Sequence, residues 1–199
     1  KVLRVRGEDI TVLELAPEVF DGVDIAMFDV PDEVSAEWAP IAASRGAIAV
    51  DNSGAFRMDP EVPLVVPEVN PEKVTERPKG IIANPNCTTL SMMAAMGALH
   101  REFGLEALVV SSYQAASGGG ARHMRELVGQ MEMLGDRSSA FLADPSGAIL
   151  PLDRHISEIL GDEDFPADQI GVPLAGSLIP WIDEKVEGGQ TREEWKGFH

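Results

Sequence analysis

The chain has 199 residues and a formal net charge of -17, with 16 Lys and Arg against 33 Asp and Glu side chains. So acidic a surface argues against nucleic acids and anionic membranes as partners, because both carry the same sign of charge. A hydrophobic share of 44% is enough for a core, and the single cysteine, Cys87, excludes an internal disulfide. One cysteine and scattered histidines also exclude a zinc site, and a reducing, cytoplasmic location is expected.

Short apolar runs alternate with helical patterns along the chain. In chain order, the patterns predict strands at residues 2–5 and 10–15 in a hairpin, 23–30, 47–50, 64–69, 81–83 and 108–112, and helices at 35–45, 88–103 and 122–134. The run at 23–30 is almost continuously apolar, which predicts a strand buried on both faces. The methionine-containing stripe of the last helix predicts core packing.

Strand, helix and strand between residues 23 and 50 predict a βαβ unit and therefore a parallel sheet. Sheets of this kind bind ligands at the carboxyl ends of their strands. The loops 29–34 and 51–57 follow two of the predicted strands, so both are candidate ligand loops. In the second loop, Arg57 is suited to a phosphate or carboxylate, although a surface ion pair is the plainer interpretation.

Cys87 stands in the sequence NPNCTT, residues 84–89, between a predicted strand and a long predicted helix. A thiol at a helix N-terminus meets the positive end of the helix dipole, which favours the nucleophilic thiolate. The unpaired N–H groups of the first turn can also hold a developing oxyanion. The alternative is an inert cysteine buried as a small apolar residue.

A second polar segment, SSYQAASGGG at residues 111–120, leads from a predicted strand through glycines into a helix. Glycines permit close approach of the backbone to a ligand, and Gln114 is a polar side chain at the strand end. A merely flexible turn explains the glycines equally well. The segment is not a dinucleotide fingerprint, because the chain contains no G-x-G-x-x-G.

Taken together, these segments resemble aspartate-semialdehyde dehydrogenase. The motifs are, in order, VDNSGAFRMD at 50–59, VPLVVPEVNP at 62–71, GIIANPNCTT at 80–89, VVSSYQAASG at 109–118 and GQTREEWK at 189–196. The resemblance implies an α/β fold: a Rossmann-type nucleotide-binding domain over residues 1–84, then an α+β catalytic and dimerisation domain over 85–199. Both domains would be partial, and the protein would be a homodimer.

That family makes aspartate semialdehyde from aspartyl phosphate with NADPH and releases phosphate, a step towards lysine, methionine and threonine. The resemblance implies that Cys87 is the nucleophile and that Gln114 orients the thioester intermediate. Substrate and phosphate binding would fall to Arg57, Asn86, Glu193 and Lys196. Cofactor contacts would fall to Asn52, Ser53, Ser117 and Gly118.

The chain departs from the family pattern at three places. The acidic turn DVPDE, residues 29–33, replaces a small, glycine-rich turn, and its carboxylates would repel a phosphate-rich cofactor. NAD is therefore the alternative to NADP. The family's glycine-rich dinucleotide turn would precede residue 1, and its catalytic histidine and a substrate-binding arginine would follow residue 199. The 199 residues are accordingly expected to be inactive alone.

Two other functions stay open on the sequence. An N-acetylglutamyl-phosphate reductase has the same architecture and would differ in its substrate. A non-catalytic α/β module for dimerisation or ligand binding is suggested by the acidic turn, and it predicts a thiol of ordinary reactivity at Cys87.

Overall fold

The computed structural model describes residues 1–197 and divides the chain into two compact units, Lys1–Val110 and the part from Ser111 onward. The first unit opens with an antiparallel hairpin of β1 (Val2–Val5) and β2 (Glu8–Thr11). A three-stranded parallel sheet follows, in the order β3 (Ile25–Phe28), β4 (Ile48–Asp51) and β5 (Ile81–Ala83). The expected parallel sheet and mixed α/β class are therefore confirmed.

Helix α1 (Asp32–Ser44) connects β3 to β4 and packs on one face of the sheet. Its Ala39 and Ala42 are fully buried, and such small side chains allow the helix to approach the strands closely. On the opposite face Met27 is 81% exposed. The expectation that residues 23–30 are buried on both faces is wrong, because within residues 1–197 this helix covers only one face of β3.

Two further predicted strands do not form. At residues 64–69, Leu64 makes only an isolated parallel bridge to Ala83, since the flanking Pro63 and Pro67 lack the N–H that a strand ladder needs. Residues 104–115 contain no regular element, and Val109 there is 98% exposed. A strand needs a neighbour for its backbone groups, and the described chain provides none at 108–112.

Helix α2 (Cys87–Phe103) ends the first unit's regular structure, one residue longer than predicted. The second unit contains α3 (Gly120–Leu142), α4 (Ile149–Leu160) and the short α5 (Arg192–Lys196). No helix within residues 1–197 is long and apolar enough to cross a membrane.

The predicted methionine core of α3 is wrong. Met124, Val128 and Met131 are all more than half exposed, whereas the fully buried residue of this helix is Gln130. The buried side of α3 is polar because it holds an irregular segment, residues 166–175, whose backbone groups need partners. Hydropathy spacing alone does not reveal such a demand.

Gln130 satisfies three backbone groups of that segment at once. Its Oε1 accepts hydrogen bonds from the N–H groups of Leu174, at 2.8 Å, and Ala175, at 2.9 Å. Its Nε2 donates to the carbonyl of Pro166 at 2.7 Å. One turn earlier, the Glu126 carboxylate accepts from two further N–H groups. Helix α3 therefore fixes the path of this segment through polar side chains.

Replacing Gln130 with leucine should lower the free energy of unfolding by at least about 2 kcal/mol, because two N–H groups and a carbonyl lose their partners in a buried place. Ser138 on the same helix is the matched control. Its hydroxyl is buried with no hydrogen-bond partner in the described chain, so Ser138→Ala should be neutral or slightly stabilising. Urea unfolding of both variants of the complete protein measures the difference, and equal effects would contradict it.

Candidate functional site

The carboxyl end of β4 is organised around a buried carboxylate. Asp51 is fully buried and accepts hydrogen bonds from Ser35 Oγ of α1 at 2.6 Å and from the Ser53 backbone N–H at 3.0 Å. Ser53 Oγ also donates to it, at 3.0 Å. Ser53, which the resemblance assigned to the cofactor, is thus itself buried and shapes the loop from beneath.

The acidic turn, residues 29–33 of the first candidate loop, is hydrogen-bonded to the second candidate loop, residues 51–57. Asn52 Nδ2 donates to Asp29 Oδ1 at 2.9 Å, and the Gly54 N–H donates to Asp32 Oδ1 at 2.7 Å. Both carboxylates therefore accept hydrogen bonds from the neighbouring loop. Sequence reasoning identified the turn only as a departure from the family pattern and missed this structural part.

Arg57 bridges the loop after β4 and the segment after β5. Its Nε donates to the carbonyl of Asn84 at 2.8 Å, and its Nη2 donates to the carbonyl of Asn52 at 2.9 Å. These bonds use two of the five N–H groups of a guanidinium. Within residues 1–197, Arg57 makes no ion pair, so the surface ion pair considered for it is not formed.

The far end of the same loop is held by an exposed ion pair. Lys79 Nζ donates to Asp59 Oδ2 at 2.6 Å. This hydrogen bond, together with the one from the Glu61 N–H, holds the pKa of Asp59 below its usual range, and the same pair raises the pKa of Lys79. The loop that carries Asn52 and Arg57 is thus anchored at both ends.

Cys87 is the first residue of α2 and is exposed. The preceding Asn86 is the N-cap, and its side chain accepts a hydrogen bond from the Thr89 N–H at 3.1 Å. An asparagine N-cap after the buried β5 begins the helix at this position. The thiol is therefore not buried, which contradicts the alternative of a buried, inert cysteine. The prediction that Cys87 lies at a helix N-terminus is confirmed.

Gln114, Ser117 and Gly118 lie together in the second unit. Gln114 is exposed in the irregular chain just before a short 3-10 helix, Ala116–Gly119. A Cβ placed on Gly118 would overlap the side-chain amide of Gln114. The close approach at this glycine is therefore to the Gln114 side chain, which an added methyl group would displace.

Glu193 and Lys196 are placed by a capping box at the start of α5. Thr191 Oγ1 accepts from the Glu194 N–H, and the Glu194 carboxylate accepts from the Thr191 N–H. Lys196 Nζ then lies 3.1 Å from a Glu193 carboxylate oxygen and 3.4 Å from one of Asp183. Sequence reasoning missed Asp183, since nothing local connects it to a lysine thirteen residues later.

The candidate residues divide between the two units. At the carboxyl ends of β4 and β5 the first unit holds Asn52, Ser53, Arg57, Asn86 and Cys87. The second unit holds Gln114, Ser117 and Gly118 beside α3, and Glu193 and Lys196 on α5. An accessible thiol, a clamped guanidinium and polar loops together provide for nucleophilic chemistry on an anionic substrate.

The chain is similar to aspartate-semialdehyde dehydrogenases. The one from Streptomyces akiyoshiensis is 50% identical over 95% of this chain and 52% of its own length, and that of Bacillus subtilis is 39% identical over 96% and 50%. A crystal structure of aspartate semialdehyde dehydrogenase II from Vibrio cholerae has a TM-score of 0.76 at 34% identity, covering 99% of this chain and 52% of that one. A second structure of that protein is complexed with ASA. The chain spans about half the length of these relatives.

Two family models match the chain in sequence order. The first, semialdehyde dehydrogenase, NAD binding domain, matches residues 3–77. The second, semialdehyde dehydrogenase, dimerisation domain, matches residues 96–199, which is more than half of the chain. The resemblance inferred from the motifs is confirmed: the chain belongs to the semialdehyde dehydrogenase family.

Proposed function

We propose that the complete protein is an aspartate-semialdehyde dehydrogenase. It reduces L-aspartyl 4-phosphate to L-aspartate 4-semialdehyde with NADPH and releases phosphate. The observation that carries this proposal is the accessible Cys87 at the first residue of α2, following a strand whose end is tied to Arg57. The similar proteins named above, one of them complexed with ASA, support this substrate over N-acetylglutamyl phosphate.

Cys87 acts as the nucleophile. Its Sγ attacks the acyl carbon of the aspartyl phosphate, a carbon–sulfur bond forms, and the carbon–oxygen bond to phosphate breaks. The positive end of the α2 dipole stabilises the oxygen that gains charge in this step, because the N–H groups of a helix point toward its N-terminus. NADPH, when bound, would supply a hydride to the acyl carbon of the thioester. The carbon–sulfur bond then breaks, which releases the aldehyde and returns the Cys87 thiolate.

Arg57 binds the phosphate, since its guanidinium is already held by two backbone carbonyls and has further N–H groups for phosphate oxygens. Asn86 supports the phosphate beside Cys87, and Lys196 contributes a second positive charge. Glu193 binds the amino group of the substrate, while Gln114 orients the thioester. The Lys196 ammonium lies 3.4 Å from a carboxylate oxygen of Asp183 and 3.1 Å from one of Glu193.

The residues present fit a nicotinamide cofactor in part. Asn52 is exposed at the carboxyl end of β4, in the segment that matches an NAD-binding domain. In the second unit Ser117 and Gly118 are exposed. These three residues would hold the cofactor, whereas Ser53 supports the loop from beneath through Asp51. NADP is the proposed cofactor, and NAD is the alternative.

The assembly we propose is a homodimer, supported by the match to a dimerisation domain over residues 96–199. We also propose a functional boundary between residues 84 and 85, ahead of the segment that carries Cys87, although α2 lies within the compact unit Lys1–Val110. A cytoplasmic location is consistent with a single reduced thiol as nucleophile.

Phosphate-dependent reduction of NADP by aspartate semialdehyde should be lost in Cys87→Ala by on the order of a thousandfold or more, because no other group forms the thioester. The assay follows absorbance of the reduced cofactor with the complete protein. Ser91→Ala is the control one turn along α2, where the exposed hydroxyl donates only to the Thr88 carbonyl, and it should keep full activity.

No turnover from folded wild-type protein would contradict the proposal. N-acetylglutamate semialdehyde would then be tested in the same assay. Failure of both substrates would favour the non-catalytic module.

Gly118→Ala should lower kcat at least about tenfold with little change in stability, because its new methyl group displaces the Gln114 amide. Gly129→Ala on α3 is the matched control, since a Cβ there meets nothing within 4 Å. It should raise stability by up to about 1 kcal/mol and leave kcat unchanged. Steady-state kinetics and urea unfolding give both quantities, and equal kcat values in the two variants would contradict a role for Gln114.

A further inference from the structure

The three parallel strands of the first unit end level with one another. Their last paired residues are Phe28, Asp51 and Ala83. These side chains are buried on the α1 side of the sheet, and successive residues of a strand point to opposite faces. The next residues, Asp29, Asn52 and Asn84, therefore present their side chains in a row on the other face.

Hydrogen bonds join this row from end to end. Asn84 Nδ2 donates to Asn52 Oδ1 at 2.6 Å, and Asn52 Nδ2 donates to Asp29 Oδ1 at 2.9 Å. An ionised carboxylate only accepts hydrogen bonds, so Asp29 requires the NH2 group of Asn52 to face it. The Asn52 oxygen then faces Asn84. Asp29 therefore sets the direction of hydrogen-bond donation along the whole row, from Asn84 to Asn52 to Asp29.

The row continues into the proposed phosphate site through the backbone. Arg57 donates to the carbonyls of Asn52 and Asn84, the two amide residues of the row. Asn84 also lies two residues before Asn86 and three before Cys87. The side chains of the row therefore belong to the same two residues whose carbonyls hold the guanidinium, so the row restrains the backbone that places Arg57.

We propose that Asp29 is a positioning residue for the phosphate site, acting through Asn52 and Asn84 on Arg57. This inference rests on the proposed function, in which Arg57 binds phosphate. In this proposal the acidic turn supports the phosphate site. Its charge alone would instead suggest that it repels the cofactor. Asp32 reinforces the same connection between loops through the Gly54 N–H.

The test compares Asp29→Ala and Asp29→Asn in the complete protein with Glu33→Ala. Glu33 is exposed on the same turn, and its carboxylate makes no hydrogen bond to the described chain, so it controls for loss of charge alone. The KM values for phosphate, aspartate semialdehyde, NADP and NAD are measured for each. Urea unfolding of each variant accompanies the kinetics.

Asp29→Ala should raise the KM for phosphate about tenfold, the effect of one lost hydrogen bond to a charged group, and leave the NADP to NAD preference within about twofold of wild type. Asp29→Asn keeps an accepting oxygen and should recover most of the phosphate affinity. Glu33→Ala should resemble wild type. If Asp29→Ala does not fold, Asp29→Asn still decides between the two roles of the turn.

A rise in preference for NADP in both Asp29 variants would overturn the proposal, because it would show that the charge faces the cofactor. An equal rise of every KM would overturn it too, since that is general loosening of the fold. Protection of Cys87 from iodoacetamide by inorganic phosphate gives a reading independent of turnover. Protection without turnover would refute the proposed function alone. The phosphate concentration that gives half-maximal protection would then be compared between Asp29→Ala and wild type to test the positioning role. Absence of protection in wild type would overturn the positioning role as well.

Discussion

Asp51 is a fully buried carboxylate, and burying such a group is costly unless hydrogen-bond donors surround it. Ser35 and Ser53 provide those donors, one from α1 and the other from the loop after β4. A single side chain thereby fixes the helix, the end of the central strand and the first turn of the loop. Asn52 and Arg57, which carry proposed functions, follow directly along this loop, so their placement depends on that buried interaction.

The second unit solves a similar problem with a neutral amide. Gln130 is buried and fixes an irregular segment through three backbone groups, while Met124, Val128 and Met131 of the same helix are exposed. Irregular chain leaves backbone N–H and carbonyl groups without the partners that a helix or sheet provides. In both units a buried polar side chain supplies those partners, and in the first unit the loop that results holds Asn52 and Arg57.

Features that depend on neighbours in sequence could be predicted well. The start of α2 follows from Asn86 and the spacing of apolar residues, and the start of α5 follows from the pair Thr191 and Glu194. Both local signals place a candidate residue, Cys87 in one case and Lys196 in the other. The position of Cys87 at a helix N-terminus could therefore be predicted from the sequence, whereas its exposure comes from the structure and its catalytic role stays a proposal.

Features that depend on register or on tertiary burial could not be predicted. The row of Asp29, Asn52 and Asn84 exists because three strands end level, and no sequence pattern states that alignment. The spacing of Met124 and Met131 predicted a core-facing stripe. In the structure α3 instead buries Gln130, which supplies hydrogen-bond partners to backbone groups of residues 166–175. Asp183 beside Lys196 is a contact of the same kind, made across a turn.

A burst experiment shows whether Cys87 carries the acyl group as a thioester. The complete protein is mixed with aspartate semialdehyde and NADP in the absence of phosphate, and reduced cofactor and peptide masses are measured. If Cys87 is the nucleophile, about one equivalent of reduced cofactor forms per active site, and the Cys87 peptide carries an acyl adduct that phosphate removes. A burst without an adduct on Cys87, or an adduct on another residue that phosphate releases, would contradict that role of Cys87.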